Sequence, residues 1–174
     1  MKEQTNTVAI LMGSESDLET MMESARVLEQ FGIAYDLEIT SAHRSPDRTR
    51  RYVKNAEKRG TRVFIVGAGA AAHLAGVVAA ETTLPVIGVP LSGSALNGVD
   101  ALYSTVMMPA GVPVATVAIG KAGATNAGVL AAQILAGSDP SLREQLAEYK
   151  RGLAEKVEAR SREAKKRLKK RAVS

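Results

Sequence analysis

Cysteine and tryptophan are missing altogether from the 174 residues, and there are only two histidines, two phenylalanines and four tyrosines. Without thiols there is no disulfide framework, no thiolate metal site and no cysteine nucleophile, and two imidazoles leave little material for a metal centre. Scarce aromatics point to tightly packed aliphatic layers rather than stacking surfaces. No apolar run approaches the roughly 20 residues of a membrane helix, and Met1–Thr7 carries no signal-peptide hydrophobic region. The expectation from these absences is a cytoplasmic, metal-free protein without membrane contact.

What is present is ordinary in amount: 45% apolar and 24% charged residues lie near the soluble globular average. The length fits one domain, 1–174, with a core over about 7–137 and a C-terminal helix and basic tail over about 138–174. The net charge of +5 is unevenly placed. Residues 150–174 hold 11 basic and 3 acidic side chains, a balance of +8, which leaves the rest at −3. With no aromatic after Tyr149 the tail lacks the groups on which bases stack, so it reads as a solvated or partner-contacting helix and no nucleic-acid partner is expected.

Short, nearly continuous apolar runs alternate with helical periodicities. Strands are expected at Thr7–Met12, Ile33–Thr40, Arg62–Val66, Pro85–Val89 and Val112–Ile119. Ser16 with Glu19 suggests a capping box for the first helix, and Ser45-Pro46 an N-cap and first position for the second, ending at Gly60. Gly67–Ala72 reads as a loop feeding a third helix to about Thr82. A fourth is expected over Val99–Met108, an Ala/Leu-rich fifth stops near Gly137, and Asp139-Pro140 opens a long polar one. Five βα units with apolar strands imply an α/β fold: a three-layer, doubly wound parallel sheet with a C-terminal helical extension.

Ligands of such sheets bind beyond the carboxyl ends of the strands. There the sequence places Gly13-Ser14-Glu15-Ser16-Asp17, Ser41-Ala42-His43-Arg44, Gly67-Ala68-Gly69 followed by His73, and Ser92-Gly93-Ser94. Both histidines fall on this one edge. Gly13 and two serines at a helix start offer N–H groups, hydroxyls and the positive helix end to a phosphate, with Asp17 towards a sugar hydroxyl; the same serines could equally serve as caps. Arg44 can pair with the same phosphate, although chain order alone does not bring it there. His43 suits a proton donor or acceptor in a cleft, and a locally hydrogen-bonded loop histidine is the competing reading. For His73, packing competes with catalysis. Gly67, Gly69 and the neighbouring alanines let the backbone approach a planar ligand or a very small molecule.

GSESD at 13–17, SAHRSPD at 41–47, GAG at 67–69 with AAHLAG at 71–76, and GVPVATVAIGKAGATNAGVLAAQIL at 111–135 together resemble the N5-carboxyaminoimidazole ribonucleotide mutase family of purine biosynthesis. The likeness runs from about Val8 to Leu135 in order. It implies a flavodoxin-like sandwich, a homo-octamer with sites at subunit junctions, no metal or organic cofactor, and as substrates a ribonucleotide and CO2. Position by position it implies nucleotide binding by Ser14, Asp17 and Arg44, with Ser16 and Ser41 around the phosphate. Gly69 and Ala70 belong to the same substrate site, His43 is the acid/base, and His73 is a second active-site histidine. The family pattern usually has glycine at Ala70, proline at Ala75, serine at Ala101 and glutamine at Met107.

The implied reaction moves a carboxylate from the exocyclic nitrogen of an aminoimidazole ribonucleotide to the adjacent ring carbon. A related class carboxylates the aminoimidazole directly with free CO2; it typically has lysine at Arg44 and lacks a histidine at His73, so the resemblance at Arg44, Pro46 and His73 favours the mutase. Dependence on added bicarbonate would mark the direct carboxylase. Tight binding without turnover would mark an idle nucleotide-binding relative. Salt-sensitive binding lost on deleting 150–174 would mark a nucleic-acid binder.

Overall fold

A computed structural model describes residues 7–171, with side chains through Leu168, so the stretch before Thr7 and the end of the basic tail lie outside the described residues. Five strands form one parallel sheet: β1 (Val8–Met12), β2 (Tyr35–Ile39), β3 (Val63–Gly69), β4 (Val86–Leu91) and β5 (Ala115–Thr116), in the order β2-β1-β3-β4-β5. The helices are α1 (Leu18–Gln30), α2 (Pro46–Lys58), α3 (Leu74–Glu81), α4 (Val99–Val106), α5 (Gly120–Leu135) and α6 (Pro140–Arg171). This is the expected doubly wound α/β sandwich, and the strand order is that of flavodoxin-like folds. Among the described residues no helix is long and apolar enough to cross a membrane.

Alternation along each buried strand serves both faces. Ala9 and Leu11 of β1, with Phe64, Val66 and Ala68 of β3, pack with Val53 and Ala56 of α2, Leu74, Ala75 and Val78 of α3, and Ala101 of α4. The intervening Val8, Ile10, Val63 and Ile65 are fully buried too, on the face covered by α1 and α5. Each such Val, Leu, Ile or Phe contributes about 1.5–3 kcal/mol by leaving water. At the outer edge, Asp36 of β2 accepts from the Tyr52 hydroxyl at 2.9 Å and from Arg59 at 3.1 Å, tying α2 back to the strand before it. Burial, then the Asp36 carboxylate, pushes the Tyr52 phenol well above its ordinary range.

Several local expectations are corrected. The GAG segment is not loop: Gly67–Gly69 continue β3, paired with Val89–Leu91 of β4. Gly67 is glycine because a Cβ there would lie 2.3 Å from the Met21 sulfur of α1. β5 shrinks to two residues, because Pro113 cannot donate to the ladder and Gly111 adopts φ +93°. Ser16 forms no capping box. Residues Glu15–Asp17 make a 3₁₀ turn capped by Ser14, and the Ser16 hydroxyl is engaged with Ser14 Oγ at 3.0 Å. Ser45 and Pro46 do hold the N-cap and first position of α2, but Ser45 makes no side-chain cap bond.

The chain divides into two compact units at Leu135/Ala136. The second opens with a 3₁₀ turn, Ala136–Ser138, and continues into the 32-residue α6. As the sequence suggests, Asp139 caps α6, its carboxylate accepting from Leu142 N–H at 3.1 Å ahead of Pro140 in the first turn.

Candidate active site

Strands β1, β2 and β3 end on the same edge, and the segments leaving them enclose a cleft of about 400 Å³. Its lining includes Ser14, Ser16, Asp17, Ser41, His43, Arg44, Gly69, Ala70 and His73, every residue that the family resemblance implies for binding or catalysis, but not Gly67, whose Cβ position faces Met21. Ser92 and Ser94 are not among the lining residues; only Gly93 of that segment is, and Ser94 braces its own loop through Asp100 at 2.8 Å. Ala75 and Ala101 are buried in the core of the sandwich, whereas Met107 is 77% exposed behind α4. Ala42, Ala68, Ala71 and Leu74 also line the cleft. No residue-type signal distinguishes such small and aliphatic side chains from core.

On one side of the cleft the chain prepares for an anion. Ser14 Oγ gathers the Ser16 hydroxyl at 3.0 Å and Ser16 N–H at 3.4 Å, just ahead of the first turn of α1. Arg44 arrives from the neighbouring strand end: its guanidinium donates to the Gly13 carbonyl at 3.2 Å, and its backbone N–H donates to Ser41 Oγ at 3.2 Å. The meeting that chain order left open is thus made. A guanidinium, two hydroxyls and the positive end of a helix sit around one opening, a donor set complementary to phosphate. Asp17 is half-buried beside them. Burial raises its carboxyl above the ordinary value, opposed by hydrogen bonds from the Ser14 backbone and the Ser16 side chain.

The two histidines line the same cleft. His43 follows the end of β2, and His73 is the N-cap residue of α3 rather than an interior helical residue. Nε2 of His43 lies 2.8 Å from Nδ1 of His73, with the rings at 86° and centroids 5.0 Å apart. One of these nitrogens must donate and the other accept, so the pair shares a single proton across the contact. At the end of β3 and just beyond it, Ala68, Gly69 and Ala70 line the cleft with no side chain larger than a methyl. Ala70 holds φ +51°, the left-handed region, in the turn that leads from β3 to His73.

Residues 7–156 match the family model of AIR carboxylase. The chain is 51% identical to the N5-carboxyaminoimidazole ribonucleotide mutase of Pyrococcus horikoshii over 162 residues, 93% of this chain and 90% of that protein. It is 56% identical to the Thermotoga maritima protein of the same name over 150 residues, 86% of each. A crystal structure of Treponema denticola PurE superposes with a TM-score of 0.79 at 31% identity, covering 86% of this chain and 92% of that one. With the fold, the strand-edge cleft and these likenesses in agreement, the chain belongs to the AIR carboxylase family.

Proposed function

We propose that this chain is an N5-carboxyaminoimidazole ribonucleotide mutase, an isomerase of purine biosynthesis that forms 4-carboxy-5-aminoimidazole ribonucleotide. The observation that carries the reading is the histidine pair: His43 and His73 meet at 2.8 Å in a cleft that Arg44 and the serines also line. The names of the relatives at about half identity support it.

In this reading Ser14, Ser16, Ser41 and Arg44 bind the 5′-phosphate, and Asp17 accepts from the ribose. The N–C bond of the carbamate breaks, releasing CO2, and His43 delivers a proton to the exocyclic nitrogen. CO2 is retained against Gly69 and Ala70, where only small side chains stand. The ring carbon then attacks CO2, and His43 takes the proton from that carbon, so the proton given in the first half returns in the second. His73 Nδ1, hydrogen-bonded to His43 Nε2, keeps that imidazole in register. Confinement supplies an effective CO2 concentration that bulk solution does not reach. Residues 1–174 act as one functional domain, the site is completed in a homo-octamer, and the enzyme works in the cytoplasm without metal, organic cofactor, nucleic acid or membrane.

The test is to supply N5-carboxyaminoimidazole ribonucleotide without ATP or metal, in buffer containing labelled bicarbonate. Conversion with little label in the ring-carboxylated product is the expected result. Turnover that requires bicarbonate and the uncarboxylated nucleotide would replace the reading with direct carboxylation, and binding without turnover would leave a nucleotide-binding protein.

A further inference from the structure

Ser45 occupies the N-cap position of α2 but makes no capping bond to that helix. Its hydroxyl is turned backwards, donating to the Ser41 carbonyl at 3.2 Å and accepting from Ser41 N–H at 3.1 Å. The Ser45 N–H donates to the same carbonyl at 3.0 Å, which closes the turn carrying Ala42, His43 and Arg44. Two threonines lie beneath. Thr40 and Thr49 are 2% and 0% exposed, and their hydroxyls are 2.8 Å apart. Thr49 Oγ1 donates to the Ser45 carbonyl at 3.3 Å, and Thr40 Oγ1 lies 3.5 Å from Ser45 Oγ.

The protons can be assigned without remainder. Ser45 gives its proton to Ser41 O, Thr49 to Ser45 O, and Thr40 to Thr49 Oγ1, so each hydroxyl donates once in a nearly dry environment. The chain of bonds continues into the cleft. Ser41 Oγ accepts from Arg44 N–H at 3.2 Å and faces Arg44 Nε at 3.5 Å, and the guanidinium reaches Gly13 O. A helix cap alone would need only a hydroxyl aimed forward at α2. A hydroxyl aimed back at Ser41 serves the turn instead.

We infer that Ser45, seated on the buried Thr40–Thr49 hydroxyl pair, is a positioning residue for the site, fixing the Ser41–Ser45 turn so that Arg44 faces the anion opening while His43 meets His73. The kinetic consequence rests on the mutase reading; the geometric one does not.

The experiment compares Ser45→Ala and Ser45→Thr, with Thr49→Val and Thr49→Ser as a second pair in case either alanine or valine variant fails to fold. Three quantities are read in the full-length protein: kcat and KM for N5-carboxyaminoimidazole ribonucleotide, the imidazole ¹⁵N resonances of His43 and His73, and the affinity for ribose 5-phosphate. Losing the hydroxyl is expected to lower kcat/KM by about tenfold or more. It is also expected to weaken ribose 5-phosphate binding and move both imidazole resonances, while the variants that keep a hydroxyl retain all three. Equal losses in hydroxyl-keeping and hydroxyl-lacking variants, or unmoved resonances and affinity in a folded Ser45→Ala or Thr49→Val, overturn the inference. A wild-type protein without turnover overturns the mutase reading alone, since the resonances and the ribose 5-phosphate affinity still decide this one.

Discussion

His43 Nε2 and His73 Nδ1 are 2.8 Å apart, although thirty residues separate them and their strands are not neighbours. In the order β2-β1-β3 the two histidines approach each other across the end of β1, the same place where Gly13 and Ser14 turn towards the cleft. The acid/base pair and the anion site are therefore built around one strand end. Across this contact one imidazole nitrogen donates and the other accepts.

His43→Asn is expected to lower kcat by about 10²–10⁴-fold while the substrate still binds. His73→Asn removes the other half of the same bond, so the double variant should lose much less than the product of the two single losses. Steady-state kinetics of the three variants checks this; fully multiplicative losses would show that the histidines act independently.

Asp17→Asn should separate stability from binding. A carboxyl raised by burial favours the protonated form in the folded state, so its ionisation is a burden on folding. That burden is absent below the ordinary value of 3.8 and grows as pH rises through the folded value, remaining at neutral pH. Asn is expected to raise the urea midpoint at pH 7 relative to its effect in acid, and to raise KM by exchanging a charged acceptor oxygen for an amide donor towards the ribose.

Ala70 stands at φ +51° in the turn before His73. A left-handed alanine costs about 1–2 kcal/mol, part of which glycine gives back through greater freedom when unfolded. Ala70→Gly should therefore raise the unfolding free energy by up to about 1 kcal/mol in urea titration. An unchanged or lowered midpoint would mean that the turn relieves this strain in another way.

Gly128→Ala tests the seam between α1 and α5. Its Cβ would stand 2.8 Å from Val27 Cβ and 2.9 Å from the Ser24 carbonyl, where the helices are also joined by Ser24 Oγ donating to Ala124 O at 2.7 Å. Overpacking of this kind costs about 1–3 kcal/mol. The loss should appear in the urea midpoint with KM nearly unchanged, because neither Gly128 nor Ser24 lines the cleft.

Much of this was legible in the residues. Apolar runs such as VAILM and RVFIV announce buried strands because both faces of a parallel sheet are covered, and Asp139-Pro140 announces α6 because capping chemistry is local. Where local rules failed, another partner had intervened, in one case distant and in two only a few residues away. Gly67–Gly69 read as loop, yet β4 pairs with them and Met21 leaves no space for a Cβ. Ser16 read as a cap, yet Ser14 takes that role. Ser45 read as a cap, yet its hydroxyl turns back to Ser41, and nothing in the spacing of Thr40, Ser45 and Thr49 announces that they converge.

By itself, then, the sequence determined the alternation of strands and helices, the edge on which polar residues collect, and the family likeness, since these depend on periodicity and short motifs. Only the tertiary structure decided that Arg44 reaches Gly13, that His43 meets His73, and that a hydroxyl set lies beneath their turn. The first two are distances of a few ångströms between segments some thirty residues apart, and the third joins the end of β2 to the first turn of α2. They are fixed by strand order and by the packing of helices on the sheet, neither of which any single segment contains.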